Sequence, residues 1–316
     1  MIWLARRLGI SVLLMWAVAS IVFLAIRIVP GDPAVLLRSR SGIAPDPVTV
    51  ARVHRELGLD RSVLGQYFRN VTGLLHGDLG RSLRDDSPVA ETIALRLPRT
   101  IELTVVAVLF AGLVGIPGGV LAAMRRTSLF DRVASIFGDL TLAVPSFVFG
   151  LLLVLVLSQT LGWMPAGGYV AFAEDPLRHL ALLVMPSVTV GAALAATLFG
   201  MTRGGVIDVE QRDYVRTARA KGLTSLHILL AHVLRNVLLP ILSVLPRHIG
   251  TLLGGTVLAE YIFNYPGVSG LLVEAVSTRD YPVVAGAVVV LCTMFIVLNL
   301  LTELLYALLD PRVRIV

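Results

Sequence analysis

Catalysis in this chain would need a nucleophile beside a base, or two acids held together, and the sequence offers few side chains for either. His227 and His232 lack the H-E-x-x-H spacing that sets two zinc ligands and a general base on one helical face. Asp139 stands alone near the start of an apolar run and reads as a helix-end or packing carboxylate. The single cysteine, Cys292, excludes a disulfide framework or cysteine metal cluster within the chain. It lies in an apolar run, where a thiol behaves as a small inert hydrophobe. A proton-coupled carrier places acids in mid-span, whereas Glu260 and Glu303 sit at span ends. No G-x-x-x-x-G-K-[ST] loop is present to cradle phosphates. The chain is therefore expected to carry no catalytic residue, metal or cofactor of its own.

Composition says where such a chain resides. Hydrophobic residues make up 56% and charged residues 15%. A soluble chain has roughly 45–50% and about 25%. Mean hydropathy is +0.84. Net charge is +6, but the basic residues flank apolar segments and form no aromatic-rich patch. That is the pattern of membrane topology and argues against a nucleic-acid partner.

A membrane-crossing helix needs roughly 20 apolar residues. Six spans are expected, at about 8–29, 101–124, 133–158, 178–201, 238–262 and 283–309. The first apolar run is longer than a signal-peptide core and reads as a retained anchor. Arg6 and Arg7, then Arg125, Arg126 and Arg132, then the segment 203–237, then Arg312 and Arg314 fall on one side. The positive-inside rule makes that side cytoplasmic and places both termini there. Pro117, Pro145, Pro186, Pro240 and Pro246 interrupt spans and favour kinks. Gly115 with Gly119, and Gly250 with Gly254, have the four-residue spacing that lets helices approach closely.

The chain divides into residues 1–29 with the first span, an external segment 30–98, and a five-helix core 99–316. The external segment opens on Pro30-Gly31-Asp32-Pro33, and helices are expected at about 48–57 and 62–75, the second ended by Gly77. With the loop 264–282 it offers a docking surface for a soluble partner. In the cytoplasmic segment 203–237, a helix runs from Asp213 to Lys221 and ends at Gly222, and a second follows at about 223–235. Thr217, Ala218 and Ala220 are small enough to sit close to a partner backbone, and the flanking arginines can pair with its acids.

Arg247 and His248 lie close to mid-membrane, where an ionised arginine costs at least ~2.5–3.5 kcal/mol against lipid. Arg247 shares a helical face with Gly250, Thr251 and Gly254, at offsets of three, four and seven. This small, polar face suits a substrate path, and a contact to a partner subunit is the alternative.

The run Tyr214-Val215-Arg216-Thr217-Ala218-Arg219-Ala220-Lys221-Gly222-Leu223 resembles the coupling loop of ATP-binding-cassette importer permeases, in their dipeptide/oligopeptide branch. In the general pattern E-A-A-x-x-x-G, nine residues, I-x-L-P, Ala218, Gly222 and Leu234 match. Arg216 and Thr217 stand for the glutamate and first alanine, and His232 and Arg235 for the isoleucine and proline. The resemblance covers almost the whole chain. It includes Leu57-Gly58-Leu59-Asp60, Gly77-Asp78-Leu79-Gly80-Arg81-Ser82, Arg96-Leu97-Pro98-Arg99-Thr100-Ile101-Glu102-Leu103, Tyr265-Pro266-Gly267, Arg279-Asp280-Tyr281 and Leu309-Asp310-Pro311-Arg312.

The resemblance implies an all-α membrane protein of the type I importer permease kind. It has six transmembrane helices, an extended periplasmic segment after the first, and a cytoplasmic coupling helix between the fourth and fifth. It implies a bacterial inner-membrane location and a pore shared with a second related permease. Two ATPase subunits or domains bind ATP and magnesium, and a substrate-binding protein docks outside. Tyr214, Arg216, Thr217, Ala218, Arg219, Lys221 and Gly222 would meet the ATPase. Gly80, Asn264, Tyr265, Pro266 and Gly267 would meet the binding protein. Relatives handle dipeptides, oligopeptides, nickel chelates, glutathione, opines or haem.

Overall fold

The computed structural model describes residues 2–28 and 62–309. The expected helix at 48–57 and the motifs at 30–33, 57–60 and 310–312 lie outside the described residues. Ten regular helices carry the rest: α1 (Ile2–Ile28), α2 (Val63–Leu75), α3 (Val89–Met124), α4 (Leu129–Ala143), α5 (Ser146–Leu153), α6 (Pro176–Glu210), α7 (Asp213–Ala220), α8 (Arg235–Ile262), α9 (Val268–Thr278) and α10 (Tyr281–Leu309). Wide π turns extend α5 over Val154–Thr160 and precede α8 over Ile228–Leu234. The segment expected as a separate helix at 223–235 thus runs through its π turn into α8, starting from the short turn Ser225–His227.

Local chemistry explains several ends. Ser62 caps α2 by accepting from the Gly65 amide, and Ser128 caps α4 through Asp131. Asp175 caps α6 ahead of Pro176, a residue suited to the first helical turn. The α2 helix closes where Asp78 N donates to the Gly73 carbonyl across the left-handed Gly77, φ +77°.

Among the described residues four helices are long and apolar enough to cross a membrane, and a fifth crossing is available if α4 and its continuation serve as one span. The span expected at 133–158 is bent by 115° at the junction. Val144 is extended there and Pro145 has no N–H to continue the ladder. Helix α3 begins twelve residues before the expected 101, so it extends N-terminally past Arg99.

Chain contacts define two units, Met1–Pro98 with Leu271–Ile296, and Arg99–Gly270 with Val297–Val316. In the first, α1 meets α2 where the Ser20 and Tyr67 hydroxyls lie 2.7 Å apart and Phe23 packs edge-on to Tyr67. The turn after α2 is fastened to the α9–α10 junction. Ser82 Oγ and Leu83 N donate to Asp280 at 2.7 and 3.1 Å, and Arg84 pairs with Glu274 at 2.9 Å.

In the second unit α6 is the central element, with 67% of its most apolar stretch buried against 33% for α3. Glycine makes the α3–α6 approach possible. A Cβ on Gly115 would lie 2.5 Å from the Ala195 carbonyl oxygen, and one on Gly119 2.6 Å from that of Phe199. The expected close contact at this pair is present. Leu194, Leu198 and Val206 of α6 form the core with Ala107 and Ala111 of α3 and Val237, Ile241 and Leu252 of α8.

Candidate functional site

Helix α7 forms where the sequence expects it. Asp213 lies in its first turn and Arg219 in its last, each matched to the helix dipole. Gly222 sits at φ +79°, and its amide closes onto the Arg219 carbonyl at 3.0 Å. Tyr214, Arg216, Thr217, Arg219, Lys221 and Gly222 are exposed. Ala218 is not. With Val215 it is buried in the core of its own chain, beside Ile228, Leu229 and Val233. Its small side chain lets α7 lie close to the bundle, so its expected place on an outer contact face is corrected. Two ion pairs trim the exposed face, Arg216 with Asp213 at 3.7 Å and Arg219 with Glu210 at 3.4 Å.

On α8 the expected path residues divide. Arg247 lies on the helix, but its side chain is outside the described residues. His248 is half-buried, and its carbonyl accepts from Thr251 Oγ1 at 2.8 Å. Thr251 and Gly254 are exposed and continue into exposed Leu258 and Tyr261, a stripe that this chain leaves open. Gly250 faces inward, so the face expected to be shared by all these residues is split.

The residues expected to meet a binding protein separate likewise. Gly80 is an exposed turn residue at φ +81°, and Asn264 is exposed at φ 47°. Tyr265 and Gly267 are buried, and Pro266 is half-buried with its carbonyl bonded to Arg99 at 3.2 Å. These three hold the fold and are not a free surface. A Cβ on Gly267 would overlap the Glu260 carboxylate. Glu260 is itself buried and accepts from Thr100 Oγ1 and Gly270 N, both at 2.7 Å. Thr100 Oγ1 in turn accepts from Val268 N at 2.9 Å.

Beside this carboxylate runs a second chain of bonds. The Tyr265 hydroxyl donates to Glu102 Oε2 at 2.9 Å, and burial, then that bond, pushes its phenol up so that it stays a donor. His179, 3% exposed, lies with Nε2 2.8 Å from Glu102 Oε1 and Nδ1 2.8 Å from the Val170 carbonyl. A carbonyl only accepts, so Nδ1 carries a hydrogen. Arg99 caps the cluster 4.5 Å above the Tyr169 ring.

Sequence reading missed this network because the bonds of Thr100 and Glu102 to its other members join residues 77 to 168 apart. The one available signal was the charge of Arg99, Glu102 and Glu260 at the ends of apolar runs. Asp139, expected as a helix-end or packing carboxylate, is exposed on α4, four residues before its last residue.

The described residues thus form long apolar helices, one pair broken at Pro145, with the short helix α7 between α6 and α8. Comparison with known proteins is specific. The family described as binding-protein-dependent transport system inner membrane component matches residues 115–315, and its N-terminal companion matches residues 1–104. The chain is 37% identical to the dipeptide transport system permease protein DppB of Escherichia coli (strain K12), over 99% of this chain and 98% of that one. It is 40% identical to a putative peptide transport system permease protein of Brucella abortus (strain 2308), over 98% of both. It is 36% identical to the di/tripeptide transport system permease protein DppB of Pseudomonas aeruginosa (strain UCBPP-PA14), over 99% and 98%.

The chain belongs to the family of inner membrane components of binding-protein-dependent transport systems. It is the transmembrane permease subunit of an ATP-binding-cassette importer, a multi-pass inner-membrane protein and not itself an enzyme. Membership decides against the intramembrane enzyme and the proton-coupled carrier. A substrate-binding protein and an ATPase work with it.

Proposed function

We propose that this chain forms half of the translocation path of an importer for peptides or a related small substrate. The observation that carries this reading is near full-length similarity to permeases named for peptide transport. A second related permease supplies the other half. Two ATPase subunits or domains, holding ATP and magnesium, engage α7 from the cytoplasm, where both termini also lie. The exposed Tyr214, Arg216, Thr217, Arg219, Lys221 and Gly222 make the contact, and Ala218 supports it from within. The three-part organisation into 1–29, 30–98 and 99–316 serves anchoring, recognition and transport. Exposed Gly80 and exposed Asn264 each offer the binding protein a point of contact.

ATP-driven movement of α7 biases the bundle between inward-open and outward-open states, as any two-state element follows differential contacts. The test is cross-linking in the assembled complex. A cysteine replacing Arg216, in a Cys292→Ala background, is expected to capture the ATPase, and one replacing Asn264 the binding protein. Capture of the ATPase from position 264 would invert the topology and end this reading.

The open stripe at Thr251 and Gly254 supports a path along α8, one turn after Arg247 and His248 in the chain. Arg247 gives a substrate carboxylate a cationic partner. Arg247→Gln is expected to lower uptake of anionic peptides about tenfold against neutral ones, as loss of roughly 1.4 kcal/mol would. Equal effects on peptides of every charge would remove this role.

A further inference from the structure

Helix α6 ends at Glu210, and only Gln211 and Arg212 separate it from α7. Displacement of α7 therefore enters α6 with little slack. Two turns before that end, Arg203 reaches across to α4. Its Nε and Nη2 donate to the two oxygens of Asp131, the second bond at 3.0 Å. The Asp131 side chain is 5% exposed and that of Arg203 34%. A bidentate pair whose carboxylate is buried is geometrically specific in a way that a surface pair is not.

The same carboxylate also holds the loop before α4. Thr127 N donates to Asp131 Oδ2 at 3.1 Å, and Thr127 sits in the left-handed region at φ 62°. The backbone amide of Asp131 is bonded to Ser128 Oγ at 3.2 Å. Asp131 thus fixes the entry of α4 and ties it to α6 at once. Beside it, a Cβ on Gly119 would lie 3.0 Å from Arg203 N, so α3 and α6 touch backbone to backbone at this level. One turn below Arg203, Val206 is fully buried in the core that also holds Val215 and Ala218 of α7.

We propose that Arg203 and Asp131 are positioning residues of the transport cycle, a clutch that makes α4 move as one body with α6 when α7 is displaced. The stroke then reaches the bend at Pro145 without loss along α4. Neither residue touches substrate or nucleotide. They act by removing a degree of freedom between two helices. This rests on the reading that α7 receives the ATPase stroke.

The test separates the two. Gly138 and Ala196 face each other across α4 and α6, a Cβ on Gly138 lying 4.0 Å from that of Ala196. That separation suits a disulfide. In a Cys292→Ala background, Asp131→Asn is expected to keep binding-protein-stimulated ATP hydrolysis within about twofold and to cut uptake per ATP about tenfold. Arg203→Lys, which keeps the charge and loses the fork, is expected to fall between. Gly138→Cys with Ala196→Cys, oxidised, is expected to leave uptake within about twofold in the otherwise native chain and to restore it in Asp131→Asn.

An oxidised bridge that stops uptake in the native pair overturns the proposal, because the helices must then slide. Unchanged uptake per ATP in Asp131→Asn overturns it as well. The bridge in the native pair is decisive even if Asp131→Asn does not fold. Cross-linking from a cysteine at Arg216 to the ATPase is followed in the same membranes. Its absence throughout sinks the role of α7, whereas cross-linking with either overturning result sinks the clutch alone.

Discussion

Gly267→Val is expected to leave almost no permease in the membrane. The new Cβ would occupy the space of the Glu260 carboxylate, which is 1% exposed and bonded to Thr100 and Gly270. Neither group can yield cheaply. Gly267 is held at the entry to α9, where its neighbour Val268 is bonded to Thr100. Pushing the carboxylate aside breaks these bonds and leaves buried polar groups unsatisfied, at about 1–3 kcal/mol each. Stabilities of whole domains are only about 5–15 kcal/mol. Immunoblotting of membranes and recovery of the solubilised complex measure the outcome. Gly200→Ala is the contrast, since a Cβ there meets nothing within 4 Å inside α6. It is expected to be neutral or to stabilise by about 0.5–1 kcal/mol. Normal accumulation of Gly267→Val would show that the Glu260 network does not hold the fold.

Gly222→Val is expected to give the opposite defect, a permease that assembles and pumps poorly. A Cβ at Gly222 meets no atom within 4 Å, so nothing clashes. The difficulty is conformational. At φ +79° a β-branched residue pays at least about 1–2 kcal/mol. The chain escapes by remodelling the end of α7, which moves Arg219 and Lys221. Losing about 1.4 kcal/mol of docked geometry lowers productive engagement about tenfold. Uptake should fall by that factor while membrane level and basal ATP hydrolysis persist. Full uptake would deny α7 its place in energy transfer.

The sequence made some of this legible, for physical reasons. Gly77 and Gly222 end helices because few other residues tolerate a left-handed terminus, so a local rule sufficed. Gly115 and Gly119 announced a close approach through their spacing alone. The bend at Pro145 was foreshadowed by the missing N–H, though its 115° was not. The Glu102–His179–Tyr265 chain was illegible, since helical periodicity says which face a residue occupies and not which distant residue meets it. Tyr265 and Gly267 were misread as surface because a turn motif marks a loop without saying what the loop packs on. Ala218 was misread for a related reason: small residues signal closeness to something, and here that something is the chain itself.

The seating of Val215 and Ala218 also bears on how the complex is put together. A helix of eight residues is too short to persist in water unaided. Here its apolar side is already satisfied by Ile228, Leu229 and Val233, so it is preorganised before any ATPase arrives. Its partner need not supply the ordering entropy that a disordered recognition segment demands at the moment of binding. On the proposed reading of α7, docking of an ATPase needs no folding of the helix on contact.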